Sequence, residues 1–399
     1  MKHLFPGATG HFSLIQGCYW MTYCILISFS SLYLLDRGFT NTQIGLLLGI
    51  AGLTAAILQP FVGAKGDHLK VLSLRQFTSL PIAAMILCGV GLFLVPAKPV
   101  QAALYMVLLV LLQLLTPLIY SLGMDCLNNH IELNFGLARG IGGGTYALAS
   151  AVCGSLAAAL GARVIPLVLV VAVALMLAFT FTFRQGGPVK STLPKPDALP
   201  QSDGTPFLKK YPQVLPLLIG VILLYTSHNV IMNFPYQIVQ SLGCGSAEMG
   251  HYLTLQSLMD IPAMVVFSLL LKRASSRAWV RLTGISFFLH ALLTWLAPNL
   301  PFLMVVQVFE MSGYALYSVS SVYFVNEMVD LCDRVQGQTY FTMANTIGIV
   351  LSSVLGGRLL DLGGASAALC LATVTGAAGM VILWFLLRRK SLRPATNAA

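Results

Sequence analysis

Charge is what this 399-residue chain has least of: Asp, Glu, Lys and Arg make up 9% of it, against 57% apolar residues. A water-soluble globular domain carries close to a quarter charged residues, so the composition excludes one and puts most of the chain in an apolar solvent. Cysteine pairing is missing as well. The eight cysteines form no CxxC pair, and Cys18, Cys88, Cys153 and Cys370 lie inside apolar runs, which makes them small core residues and gives no disulfide framework. There is no HExxH, no nucleophile elbow, and no acid and nucleophile at usable spacing, so no enzyme chemistry is legible and no metal is implied. The glycine run GIGGGT from Gly140 lacks the Lys-Ser/Thr ending of a phosphate loop and a preceding strand. Its glycines suit close helix approach instead.

Apolar runs are what the chain has in quantity. Runs of about 20 residues read as membrane spans, and twelve occur, near 11–35, 42–64, 71–94, 100–123, 138–160, 163–184, 212–240, 248–271, 279–297, 300–326, 335–358 and 363–388. An all-α membrane protein follows. The head MKHLFPGATGHFS lacks a short h-region with a small-residue cleavage site, so the first span is expected to be retained and both termini to share one side. With that side in the cytoplasm, Lys and Arg divide 19 to 4 in its favour, the asymmetry of a multi-pass protein of the cell membrane. The net charge of +10 then belongs to the inner membrane surface and implies a lipid bilayer, with no nucleic-acid partner. A monomer is expected.

The longest polar stretch runs from Arg184 to Pro212 with six prolines and three glycines, the composition of a solvated linker. It separates residues 1–184, a bundle of six spans, from residues 212–399, a second bundle of six, with 185–211 as cytoplasmic linker. TYALASAVCGSLAAALG from Thr145 and NTIGIVLSSVLGGRLLDLG from Asn345 are small-residue segments in corresponding positions, as an internal repeat would leave them.

One span holds an acid. In PFLMVVQVFEMSGYALYSVSSVYFV, from Pro301, helical spacing puts Gln307, Glu310, Tyr314, Tyr317 and Ser321 on one stripe. A carboxylate there costs a few kcal/mol to insert, roughly, and marks either a proton or ion site or a structural acid satisfied by a neighbouring helix. Asp260 lies at mid-depth of the eighth span, open to roles as solute ligand or second coupling acid. Gln256 and Ser257 precede it. Tyr225, Asn229, Asn233, Tyr236 and Gln240 form a stripe on the seventh span, and Gln16, Tyr19, Trp20 and Tyr23 one on the first. Neutral amides and aromatics favour an uncharged polyhydroxy solute over an anion or a lipid.

Two sets of six spans around a cytoplasmic linker, with the basic loop GAKGDHLKVLSLR between spans two and three, resemble the major facilitator superfamily. The resemblance implies a conformational switch at Gly63, Asp67 and Arg75, with His68 and Lys70 replacing the usual basic pair after the acid. Within the superfamily, YLLDRGFTNTQIGLLLGIAGLTAAILQPFVGAKGD and NFGLARGIGGGTYALAS resemble the lactose permease branch of oligosaccharide and nucleoside proton symporters. That likeness implies a sugar-binding arginine at Arg139 and a ring-stacking aromatic at Tyr146. It puts Ser121 where the branch has an acid, with Asp125 one turn nearer the cytoplasm. Glu310 falls on the branch's protonated glutamate, while His290 and Gln307 replace its arginine and histidine. His290 is then either a titrating partner of Glu310 or hydrogen-bonded core. The function implied is proton-driven uptake of a neutral sugar or nucleoside by alternating access, with the proton as coupling ion, sodium as the other candidate, and no further cofactor. A drug or metabolite/proton antiporter is the alternative, and a receptor without transport a third.

Overall fold

The computed structural model of the chain describes residues 7–67, 73–128, 131, 133–183, 206–270, 274–330 and 333–388. His68 and Lys70 of the loop, linker residues 185–205 and the tail after 388 lie outside them. Eight of the described helices are long and apolar enough to cross a membrane, or nine if one bent pair is a single span. That pair is α1 (Gly7–Tyr23) and α2 (Ser30–Asp36), joined by the π-helical turn Cys24–Ser28 and bent by 48°. There follow α3 (Asn41–Asp67), α4 (Leu74–Leu94), α5 (Lys98–Asn128), α6 (Phe135–Leu160) and α7 (Ile165–Thr182). Past the linker come α8 (Phe207–Lys210), α9 (Val214–Asn233), α10 (Pro235–Ser241), α11 (Ser246–Leu270) and α12 (Ser276–Trp295). Then α13 (Leu300–Val306), α14 (Val308–Glu310), α15 (Leu316–Met328) and α16 (Arg334–Arg388) complete the order.

The last helix is continuous only by its hydrogen bonds. Its 55 residues would extend about 80 Å against a hydrocarbon core of about 30 Å, so it has to break. It does so at Gly363 and Gly364, where the backbone leaves the helical region and Gly364 takes φ +66°, a conformation that only glycine adopts cheaply. The two halves are spans eleven and twelve, and the chain has the twelve helices of two six-helix sets. Three expected spans are not continuous, the first of them being 11–35, which is the bent pair of α1 and α2. The run 212–240 stops at Phe234, whose φ −128° and ψ 43° follow from standing before Pro235, and restarts as α10. The run 300–326 is broken at Gln307 and widened by the π-helical turn Met311–Ala315 directly after Glu310. Such widened turns free backbone groups and recur at functional positions.

Helix starts follow the expected chemistry. Ser73 and Gln76 form a reciprocal capping box on α4, and Asn134, Ser275 and Asn299 each cap a helix by accepting from a backbone N–H. Within the spans, hydroxyls donate back to the carbonyl four residues earlier, as Thr22 does to Cys18 and Thr226 to Ile222, because no water competes for them. Outward positions are apolar, with Leu87 74% exposed and Val305 72%. Lipid, not water, suits that surface.

The helices group into two compact units. One comprises Met1–Thr192 with Asn233–Leu258, and the other Leu193–Met232 with Met259–Ala399. In the first, α1 packs on α6 and α7, α3 on α5, and α4 on α5 and α7. There α6 meets the start of α11 so closely that a Cβ at Gly154 would stand 2.7 Å from Gly250 Cα, the small-residue crossing that the sequence leads one to expect. The second unit has a core of Tyr211, Leu217, Tyr225, Phe287, Tyr317 and Phe324, with α12 against α15 and α16. The end at which α8, α9 and the start of α16 meet is tied by polar groups. Lys210 Nζ lies 2.7 Å from Asp333 Oδ2 and 3.1 Å from Asp330 Oδ2, and the Tyr211 hydroxyl, 2.9 Å from both carboxylates, accepts the Asp330 N–H at 3.0 Å. The two carboxylates hold the Lys210 ammonium above its ordinary pKa, and burial does the same for the Tyr211 phenol.

Candidate functional site

In the second unit the acid of the tenth span is not alone. Glu310 is 1% exposed, and its Oε2 lies 3.3 Å from His228 Nδ1 on α9 and 3.4 Å from His290 Nδ1 on α12. Two imidazole edges therefore converge on one carboxylate oxygen. Both histidines are buried, and Gln307, wholly buried one turn before Glu310, lies near His290 with its Nε2 donating to Leu303 O at 3.1 Å. The face of His228 is also occupied. Tyr314, carried on the π-helical turn, stacks on it with ring centroids 4.7 Å apart and planes 6° from parallel. Phe287 closes another side edge-on at 5.5 Å.

Three helices thus bring an acid, two bases and a phenol together away from water. Such a group can accept and return one proton with little net charge left in the bilayer, since proton, carboxylate and neutral imidazoles sum to zero. Glu310, His290, Gln307 and Tyr314 are the expected residues that the fold assembles here. His228 was not expected. The signal was available, because His228 stands three residues after Tyr225 on the stripe already recognised, and an ionisable side chain inside a span is itself a pointer to a site. Asn229, next to it, turns its Nδ2 to the Tyr225 carbonyl at 2.9 Å. Asp260 is half-buried on α11.

The first unit holds the expected aromatic residues of the first and fifth spans. On α1 the backbone of Gly17 accepts from Thr145 of α6 at 3.0 Å, and the Tyr19 hydroxyl meets Thr116 of α5 at 2.6 Å. Gln16, Trp20 and Tyr23 occupy the arc between those two contacts. Trp20 and Tyr23 pack with ring centroids 5.1 Å apart, and the Arg139 guanidinium lies 3.8 Å over the Trp20 ring. Gly142 makes room for this, since a Cβ there would stand 2.5 Å from Trp20 Cδ1. The indole N–H of Trp20 and both amide atoms of the fully buried Gln16 have no hydrogen-bond partner among the described residues. Buried polar groups are normally satisfied, so these atoms stand out in the first unit. Tyr146 is half-buried and its hydroxyl meets Ser28 Oγ at 2.6 Å, which fixes the ring. Ser121 and Asp125 are half-buried on α5, while Asn233 and Gln256 are buried and Tyr236 half-buried around the α9–α10 break and on α11.

Of the expected switch, Gly63 and Asp67 end α3 with side chains outside the described set. Arg75 is described. Its Nη1 donates to the Phe183 carbonyl at 3.1 Å and its guanidinium lies 5.7 Å over Phe181, so it fastens α4 to the end of α7.

The MFS_1 like family matches residues 13–370. An aspartate-to-alanine variant of the nucleoside transporter NupG is similar in structure with a TM-score of 0.78 at 14% identity, over 96% of this chain and 99% of that one. NupG without that change gives 0.73 at 16%, over 96% and 99%. A bacterial homologue of the iron transporter ferroportin, in an inward-facing state, gives 0.70 at 14%, over 96% and 99%. At such identities the likeness is one of fold. No curated protein matches the sequence.

Proposed function

The chain belongs to the MFS_1 like family and is a multi-pass membrane transporter, and from that premise we propose that it takes up a small neutral polyhydroxy solute, a sugar or a nucleoside, together with a proton. The observation that carries the proposal is Glu310: a carboxylate 1% exposed inside a span, with an imidazole nitrogen of His290 at 3.4 Å. A charge buried at that cost is retained for a pathway, and a proton is the cargo this chemistry handles. The solute class rests on Arg139 over Trp20 and on the unsatisfied amide of Gln16, which offer a flat face beside donors and an acceptor. The likeness to the nucleoside transporter NupG supports a nucleoside as the first solute to try. In this reading both termini are cytoplasmic, the protein works as a monomer in the cell membrane, and the cycle is alternating access with Glu310 protonated while solute binds.

The sign of linkage tests it. If solute prefers the protonated site, solute binding must take up protons, and affinity must fall as pH rises through the titration of that site. We expect uridine, added to lightly buffered purified protein, to raise the pH of the solution. Proton release instead would mean competition for one site and would favour an antiporter exporting a drug-like solute or metabolite. In proteoliposomes, Glu310→Gln is expected to keep exchange and lose accumulation against a gradient, because a neutral mimic fixes the protonated state. Full uphill uptake by that variant removes Glu310 from the mechanism.

A further inference from the structure

Glu310 has a neighbour that faces two ways. The edge of His228 is on the carboxylate, Nδ1 to Oε2 3.3 Å, and its face is on Tyr314, 4.7 Å between centroids and 6° from parallel. The ring is held from three directions, since Phe287 meets it edge-on at 5.5 Å and Tyr225 at 6.3 Å. An imidazole so enclosed cannot turn without moving one of them. Tyr314, in turn, is half-buried and sits on the widened turn Met311–Ala315, immediately after Glu310 in the chain. A π-turn carries one residue more per turn than the α-helix around it and recurs at functional positions.

We propose that His228 is a third member of the proton site and the positioning residue that links it to Tyr314, so that a solute contacting Tyr314 acts on Glu310 through the imidazole. This rests on the proton-site reading of Glu310 given above. In the anionic state the carboxylate has two imidazole nitrogens close to one oxygen, His228 Nδ1 at 3.3 Å and His290 Nδ1 at 3.4 Å from Oε2. When a proton enters, the group of three holds it as a whole, and no other group need change its bonds. The balance between the anionic and loaded states then depends on whether the His228 edge stays on Oε2, and its edge stays there only while Tyr314 holds the ring face. The titratable groups around the cluster in the described residues are His228 and Tyr225 from α9, His290 from α12, and Tyr314 and Tyr317 from the tenth span.

The test needs no solute. The infrared absorption of the protonated carboxyl is followed across pH in purified protein reconstituted in liposomes, with Glu310→Gln identifying the band. His228→Phe keeps a ring against Tyr314 but removes Nδ1, and is expected to displace the midpoint by about one pH unit, a tenfold change in proton affinity. Tyr314→Leu is expected to displace it in the otherwise native protein and to have no further effect in the His228→Phe background, because the path between them is then already cut. Should His228→Phe not fold, His228→Leu carries the same comparison with the ring face removed as well. A midpoint unmoved by either His228 variant, or a Tyr314→Leu displacement of equal size in both backgrounds, overturns the proposal while leaving Glu310 as the proton site. A carboxyl band that Glu310→Gln does not abolish overturns the proton-site reading itself and this inference with it.

Discussion

Replacing Lys210 by methionine probes the polar tie between Lys210, Tyr211, Asp330 and Asp333 in the second unit. The ammonium has only 17% of its side chain exposed and serves two carboxylates, of which Asp333 has 5% of its side chain exposed. Methionine keeps the length and the apolar stem but leaves the Asp333 carboxylate, among the described residues, with the Tyr211 hydroxyl. An acid stripped of its partner in a buried position costs about 3 to 5 kcal/mol, far more than the pair contributes over an apolar replacement. For a unit of roughly this size that corresponds to a fall in unfolding temperature on the order of 10 °C. Thermal unfolding of detergent-purified protein measures it. Because the loss comes from the orphaned charge, Asp333→Asn in the Lys210→Met background should recover most of it. The pH dependence has a definite sign. A lysine whose folded pKa is raised stabilises fully below its unfolded value near 10.5, and that contribution disappears only as pH rises through the folded value. The Lys210 contribution should therefore be constant from neutral pH to about pH 10 and should fade only above it. A Lys210→Met protein that melts within a degree or two of the native one, or a double variant no more stable than the single, refutes the reasoning.

Other substitutions test the solute face and the packing. Tyr146→Ala should weaken uridine binding about tenfold to a hundredfold if the ring stacks on solute, while Tyr146→Phe, losing only the hydroxyl contact with Ser28, should stay within about tenfold of the native affinity by calorimetry. An unchanged dissociation constant in Tyr146→Ala returns the residue to packing. Arg139→Lys should lower uridine affinity although charge is kept, since an ammonium does not reproduce a planar fork over Trp20; native binding by that variant means the fork is not used. Gly154→Val places a Cβ against the Gly250 backbone, which has no side chain to move aside, and should destabilise by about 1 to 3 kcal/mol in thermal unfolding. A native melting temperature there would show that the helices can separate freely.

What the sequence determined by itself is whatever hydropathy and short-range spacing encode. A span is a local property: twenty apolar residues are sufficient because the backbone satisfies itself within the helix. The twelve spans and the unusual acid in the tenth span were therefore legible without coordinates, as was the stripe of Gln307, Glu310 and Tyr314. The breaks were partly legible, since Pro235 marks its own, but the π-turn after Glu310, which packs against α12, has no proline to mark it. The partners of the acid were decided by tertiary structure alone. Glu310 meets His228 and His290 only because α9, α12 and the tenth span are packed side by side, and nothing in the local pattern around TSHNV says which neighbour its histidine will face. The same holds for Arg139, whose charge was legible but whose resting place over Trp20 depends on a missing side chain at Gly142, a fact of contact between helices and not of either helix alone.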